Sequence, residues 1–181
     1  MKFLPTKIPD IILVKVSKFS DHRGFFMETY HIKKFSDGGI SVKFVQDNHV
    51  ASQKNTLRGL HYQLKFPQGK LIRCIQGEIL DIAVDIRKSS PTFGEWVGEI
   101  LSSKNGRQLY VPPGFAHGYI VCSELAEVTY KCTDFYHPED DYGILWNDPE
   151  IGIEWGVEHP ILSEKDKQQP LLKDVKEKLY K

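Results

Sequence analysis

Gly106-Arg107-Gln108-Leu109-Tyr110-Val111-Pro112-Pro113-Gly114-Phe115-Ala116-His117 and Leu57-Arg58-Gly59-Leu60-His61-Tyr62-Gln63 are the two stretches on which the reading of this chain turns. The first places an apolar strand, a Pro-Gly turn and a histidine at the spacing G-x5-P-x-G-x2-H. The second is a shorter run that carries Arg58, His61 and Gln63. Together they put two imidazoles into what reads as one barrel. First-row transition metals take several nitrogen or carboxylate ligands converging on one ion. Two histidines and a glutamine are a poor set, and no acidic residue follows Gln63 before Glu78. A metal is therefore not expected, which leaves both imidazoles for proton chemistry.

The segments around these stretches are β-type. Ile11–Val16, Phe44–His49, Leu71–Ile75, Ile79–Ile86, Trp96–Leu101, Gln108–Val111, Tyr119–Cys122 and Glu127–Lys131 are short and rich in Val, Ile, Tyr and Phe, with Gly, Pro, Asn and Ser between them. Gln76-Gly77 and Lys104-Asn105-Gly106 read as tight hairpin turns. His31–Ser36 reads as a short helix ended by Gly38-Gly39. Leu172, Val175 and Leu179 lie three and four apart with Ser163 as an N-cap ahead of them, so the tail is predicted helical from about residue 163 on. Many short strands with few helical patterns indicate an all-β sandwich or barrel. The Gly-Pro-Gly-His spacing resembles that of cupins. That resemblance sharpens the expectation to a double-stranded β-helix, a jelly-roll barrel with short peripheral helices. In metal-binding cupins the first stretch reads His-x-His with a Glu following, and here the second His is Gln63.

Residues 1–181 read as a single domain, a length ample for one core. Twenty-four basic residues balance 24 acidic ones, so no basic stripe recommends nucleic-acid binding. No long apolar run and no leader-type segment indicate a membrane or export, and a cytoplasmic location is expected. Cys74, Cys122 and Cys132 form an odd set without metal spacing and read as small buried side chains in a reducing compartment.

Several side chains have both a plain and a chemical reading. On an extended strand Gly59, His61 and Gln63 share a face and Tyr62 points away, lining a barrel with a roomy polar wall. His61 alone would pass for a hydrogen-bonded core residue; Arg58, Lys70 and His117 nearby argue for a site. Arg23, in the turn Asp21-His22-Arg23-Gly24, is either a solvated charge or a ligand contact. Gln46 and Asn48 share a face and could bind a base or a sugar hydroxyl, or simply belong to an edge strand. Tyr130 shares a face with Val128, where packing is the ordinary role, yet a neutral phenol can also donate a proton. Tyr136 stands at a loop mouth, fit to stack on a base or to cap the core. Ser163-Glu164-Lys165-Asp166 is similar to a capping box, and the residues themselves favour a local role for Asp166.

In order, these motifs resemble the dTDP-4-dehydrorhamnose 3,5-epimerases over almost the whole chain. The likeness is carried by Asp21-His22-Arg23-Gly24-Phe25-Phe26, Phe44-Val45-Gln46-Asp47-Asn48-His49, Leu57-Arg58-Gly59-Leu60-His61-Tyr62-Gln63, Gln68-Gly69-Lys70-Leu71, Val84-Asp85-Ile86-Arg87 with Ser90-Pro91-Thr92, Pro113-Gly114-Phe115-Ala116-His117-Gly118, Tyr130-Lys131, Trp146-Asn147-Asp148 and Leu162-Ser163-Glu164-Lys165-Asp166. The resemblance implies an isomerase that inverts C3 and C5 of a 4-keto-6-deoxy dTDP-hexose. It implies His61 as base, Asp166 as its orienting carboxylate, Tyr130 as acid on the other sugar face and Lys70 at the ketone oxygen. It also implies that Arg23, Glu28, Gln46, Asn48, Arg58, His117, Tyr136, Asp141 and Lys165 contact the sugar nucleotide. Arg23 and Glu28 would come from the second subunit of a homodimer. A C3-only or C5-only epimerase, a metal-dependent cupin and a non-catalytic sugar-nucleotide binder are the competing readings.

Overall fold

The computed structural model describes residues 1–180. In chain order the elements are β1 (Lys2–Pro5), β2 (Ile12–Lys15), β3 (Phe19–Asp21), β4 (Gly24–Phe26), α1 (Ile32–Asp37), β5 (Gln46–Gln53) and β6 (Leu57–Tyr62). There follow β7 (Lys70–Gln76), β8 (Glu78–Asp85), β9 (Trp96–Ser102), β10 (Arg107–Val111), β11 (Phe115–Val121), β12 (Leu125–Cys132), β13 (Tyr142–Gly143) and α2 (Glu164–Lys167). A six-stranded antiparallel sheet runs β1-β2-β10-β7-β12-β5, and a five-stranded one runs β13-β6-β11-β8-β9. The β3–β4 hairpin pairs with neither. This mostly antiparallel architecture with few short helices is the expected cupin-type jelly roll.

Alternation along β8 shows how the layers assemble. Ile79 and Ala83 face the other sheet, in a core shared with Ile72, Cys74, Leu109, Phe115 and Val128. Ile82, Val84 and Ile86 face outward, which would leave three large aliphatics in water. They are covered by Ile144, Ile151, Trp155, Leu172 and Val175 from the C-terminal third of the chain. Burial on both faces explains why β8 reads as a nearly continuous apolar run. The outer face of the six-stranded sheet is closed by α1, whose Phe35 packs with Val14, Ile40, Leu71 and Tyr110. His31 caps that helix, its Nδ1 accepting from the Lys34 amide, so the helix begins at Ile32, one residue after the expected start.

Three expectations need correction. Neither Gln76-Gly77 nor Lys104-Asn105-Gly106 closes a hairpin, because β7 and β10 lie in one sheet and β8 and β9 in the other. Both turns are corners where the chain changes sheets. At Gly77 the backbone sits at φ +74° with the Leu125 carbonyl 2.1 Å from where a Cβ would stand, so only glycine fits. The tail is not one helix from residue 163. α2 stops at Lys167, Pro170 breaks the path, and a 3-10 turn over Leu172–Lys178 follows. Leu172, Val175 and Leu179 are nonetheless buried, and residue 181 lies outside the described residues. Finally, Cys122 is exposed, one residue beyond the end of β11, while Cys74 and Cys132 are buried.

Asp85, fully buried at the end of β8, organises the following loop. It accepts from the Arg87 guanidinium at 2.6 and 2.9 Å and from the Ser90 and Thr92 hydroxyls at 2.6 Å each. Burial alone would raise its pKa, but these donors outweigh burial and hold the carboxyl below the ordinary carboxylate range. A depressed folded-state value contributes stability above the unfolded value, near ~3.9, and loses it as pH falls through the folded one. Asp85→Asn is expected to cost about 3 kcal/mol at neutral pH, since it removes the shared acceptor of Arg87, Ser90 and Thr92 and leaves the guanidinium only the exposed Asp10. Melting curves across pH should show the gap to wild type narrowing only below about pH 4; a pH-independent gap contradicts the assignment.

Candidate active site

The inner face of the barrel opens into a cavity of about 790 Å³ whose wall includes Arg58, His61, Lys70, His117, Tyr119, Tyr130, Tyr136, Asp141, Lys165 and Asp166. A recess of about 270 Å³ adjoins it and adds Gln46, Asn48, Gln63 and Gln68. These sizes suit a drug-sized or nucleotide-sized ligand.

Arg58 and His61 are three residues apart, and simple alternation would send them to opposite faces. The pairing of β6 with β11 resolves this. His61 stands opposite His117 and Arg58 opposite Tyr119, so Gly59 and Leu60 together face the single residue Gly118. This is a β-bulge, and the extra residue advances the side-chain phase by one. Gly59 takes φ +127° with the Gly118 Cα only 2.5 Å from where its Cβ would stand. The two glycines thus let the backbones touch, and Arg58 joins His61 in the cavity. The Arg58 Nε donates to the Ser52 hydroxyl at 3.1 Å.

His61 Nε2 lies 2.6 Å from Asp166 Oδ1, joining residues 105 positions apart. Asp166 makes a local contact and a cavity-side one. Its amide donates to the Ser163 hydroxyl, capping α2, while its carboxylate turns inward and is almost wholly buried. Burial pushes that carboxyl up; the hydrogen bond and charge of His61, with help from Ser163 and the Gly59 amide, push it further down. No hydrogen bond to His61 Nδ1 is formed among the described residues, so one nitrogen of the ring is open to a ligand.

Tyr130 stands on β12 beside Asn48 of β5, on the cavity wall. Burial raises its phenol above the ordinary value, against a smaller opposing pull from the Arg58 guanidinium. The hydroxyl therefore stays protonated at neutral pH. Lys70 begins β7 and lines both compartments. Burial lowers its pKa, with Cys132, Asp141 and Asp81 opposing. Among the described residues it forms no direct ion pair; Asp141 and Asp81 act on its charge only from a distance.

At the rim, Asp141 accepts from the Tyr136 hydroxyl at 2.9 Å and from the Lys165 ammonium. In the recess, Gln46 donates to Asn48 Oδ1 at 3.2 Å and accepts from the Tyr136 amide at 2.9 Å, so two expected contacts brace a third. Gln63 donates to the Phe66 and Phe135 carbonyls and accepts from the His137 amide. Its amide group is committed to the loops. Among the described residues no group of three or more His, Cys, Asp or Glu converges as a metal site would need.

Eleven of the thirteen expected site residues thus meet at the cavity or its recess, and two do not. Arg23 sits exposed in the β3–β4 turn with Asp21, and the half-buried Glu28 pairs with Lys34; neither lines the cavity. Sequence reading missed Ser52 and Tyr119, which line the cavity, and Asp81, which is buried behind His117. An aspartate inside the apolar run Ile79–Ile86 was the available signal for Asp81.

Residues 5–174 match the family model described as dTDP-4-dehydrorhamnose 3,5-epimerase. The chain is 55% identical over 168 residues to the dTDP-4-dehydrorhamnose 3,5-epimerase of Shigella flexneri, covering 92% of this chain and 93% of that one. It is 52% identical over 177 residues to the Pseudomonas aeruginosa enzyme of that name, covering 97% and 98%. Among solved structures, the Legionella pneumophila dTDP-6-deoxy-D-glucose-3,5-epimerase in complex with dTDP-4-keto-L-rhamnose superposes with a TM-score of 0.96 at 45% identity, covering 99% and 97%.

Proposed function

The chain belongs to the dTDP-4-dehydrorhamnose 3,5-epimerase family, and from that premise we propose how its cavity epimerises dTDP-4-dehydro-6-deoxy-D-glucose at C3 and C5 to give dTDP-4-dehydro-L-rhamnose. The observation that carries the reading is the His61–Asp166 pair, Tyr130 and Lys70 gathered on the wall of one cavity.

Both C3 and C5 flank the C4 ketone, so their hydrogens are the acidic ones. Removing either leaves an enolate with its charge on the C4 oxygen. His61 takes the proton. Asp166, holding Nε2, fixes the tautomer and stabilises the imidazolium that forms. Lys70 meets the charge on the enolate oxygen, where a fixed donor is worth on the order of 3 kcal/mol. Tyr130 returns a proton to the opposite face, which inverts the centre. The ketone is itself the electron sink, so these residues need no cofactor for the step. Arg58, with forked donors, suits the diphosphate, His117 the sugar nucleotide beside it, and Tyr136 the base. Gln46, Asn48, Asp141 and Lys165 complete the contacts.

We also infer a homodimer in which Arg23 and Glu28 complete the partner's site. Phe19, Phe25 and Phe26 are all exposed on the β3–β4 hairpin, which belongs to neither main sheet. A lone two-stranded hairpin bearing an aromatic patch is marginal in water and fits a protein interface. Sedimentation should give a dimer, and Phe19→Asp with Phe26→Asp should give a monomer with weakened nucleotide binding. A wild-type monomer of full activity contradicts this. The whole of residues 1–181 is taken as one epimerase domain acting in the cytoplasm; no helix among the described residues is long and apolar enough to cross a membrane.

The same-class alternative, inversion at one carbon only, has an observation in its favour. A dTDP-4-dehydrorhamnose 3-epimerase of Streptomyces niveus is 31% identical over 179 residues. Product analysis by NMR of dTDP-4-keto-6-deoxyglucose incubated with the enzyme separates the two: the L-sugar supports double inversion, and a product changed at one centre supports the alternative.

A further inference from the structure

The five buried aspartates divide by what they hold. Asp85 binds Arg87, Ser90 and Thr92. Asp140 accepts from the Lys65 and Phe66 amides, and Asp148 from those of Glu150, Ile151 and Leu172. Asp166 takes Ser163 and the Gly59 amide besides His61. Each of these four fastens backbone or loop. Asp81 does not. It is fully buried on the inner face of β8, between Ile79 and Ala83, and its two carboxylate oxygens lie 3.1 and 3.0 Å from one atom, His117 Nε2. Among the described residues it has no other hydrogen-bond partner. A buried carboxylate is costly unless it is paired and hydrogen-bonded; His117 is its direct partner, and the Lys70 ammonium acts on it only from a distance.

We propose that Asp81 is a positioning residue of the epimerase site, clamping His117 so that Nδ1 of the imidazole is presented to a polar oxygen of the bound nucleotide sugar. The proposal rests on the cavity's reading as a nucleotide-sugar site. Its geometry repeats that of the base. His61 and His117 face each other across β6 and β11, each gives Nε2 to a buried carboxylate, and neither Nδ1 has a hydrogen-bond partner among the described residues. The carboxylate accepts the Nε2 hydrogen whether or not the ring carries a second proton, so the clamp fixes the ring's orientation in both charge states. The two aspartates come from opposite directions, Asp166 from the C-terminal segment and Asp81 from β8. The cavity is thereby lined by two independently anchored imidazoles.

The test is a double-mutant cycle read by calorimetric binding of dTDP-glucose, which lacks the ketone and does not turn over, with dTDP alone as the second probe. Asp81→Asn is expected to weaken dTDP-glucose binding about tenfold, the scale of one charge-assisted hydrogen bond. His117→Asn should do the same. The double variant should bind no worse than His117→Asn, because Asp81 acts only through that ring. Unchanged affinity in Asp81→Asn, or additive losses in the double variant, overturns the proposal. A purely structural Asp81 would lower the melting temperature and leave affinity alone, which also overturns it. Should His117→Asn fail to fold because it strands the Asp81 carboxylate, Asp81→Asn against wild type decides the matter. Wild-type protein that binds neither probe overturns the nucleotide-sugar reading itself, and Asp81's assignment with it.

Discussion

His61→Ala lowers turnover on the order of 10⁴-fold, the upper end of what a positioned general base supplies, while calorimetric dTDP binding survives. The separation follows from geometry. His61 reaches the cavity from β6 at the same level as His117, and its Nε2 is already committed to Asp166. What alanine removes is the open Nδ1, the only part of the pair that can touch C3 or C5. Arg58 keeps its bond to Ser52, and the Tyr136–Asp141–Lys165 cluster at the rim does not involve His61. The nucleotide contacts are therefore left standing. Asp166 cannot replace the base, because its carboxylate sits behind the ring and is held ionised, below the ordinary range. Exchange of sugar hydrogens with solvent should disappear along with product. Substantial residual epimerase activity would remove His61 from its role.

Tyr130→Phe has the second largest expected effect, a loss of inverted product on the order of 10³-fold, but with a different signature. The base is intact, so deprotonation still occurs and solvent hydrogen still enters from the His61 side. Reprotonation from that same side regenerates the starting configuration. The variant should exchange without inverting. The phenol suits the role because burial raises its pKa, keeping it protonated as pH increases. It also stands in β12, across the barrel from β6, which is where an opposite-face donor must be. Normal yields of inverted product from the phenylalanine variant would assign the acid elsewhere. Loss of exchange together with inversion would point instead to a misplaced substrate.

The parts of this molecule that could be read in the sequence are those decided by neighbours along the chain. The runs Leu71–Ile75, Ile79–Ile86 and Trp96–Leu101 declare themselves as strands through their β-branched residues; β7 and β9 contain the first and third, and β8 takes in the second except Ile86. The sheet to which each belongs is not a local property. Gly77 and Gly106 supply positive-φ turns equally well for a hairpin or for a corner, and the two sheets' shared core makes them corners. The bulge at Gly59 and Leu60 exists only in relation to Gly118, so the common face of Arg58 and His61 could not be foreseen from β6 alone. The tail misled because Leu172, Val175 and Leu179 do cover the outer face of β8, but Pro170 had already ended the helix. Asp166 was ambiguous for a sound reason: it caps α2 and serves His61 at once. Asp81 shows the remaining limit, since its partner is 36 residues away and nothing near it in the chain names an imidazole.

The central claim is that one base and one acid carry protons at two carbons of a single sugar. It is tested most directly by incubating the enzyme with dTDP-4-keto-6-deoxyglucose in deuterated water and locating the label by NMR. The account predicts deuterium at both C3 and C5 of an L-configured product, with C2 unlabelled. Label at only one of the two carbons, or none at all, would contradict it.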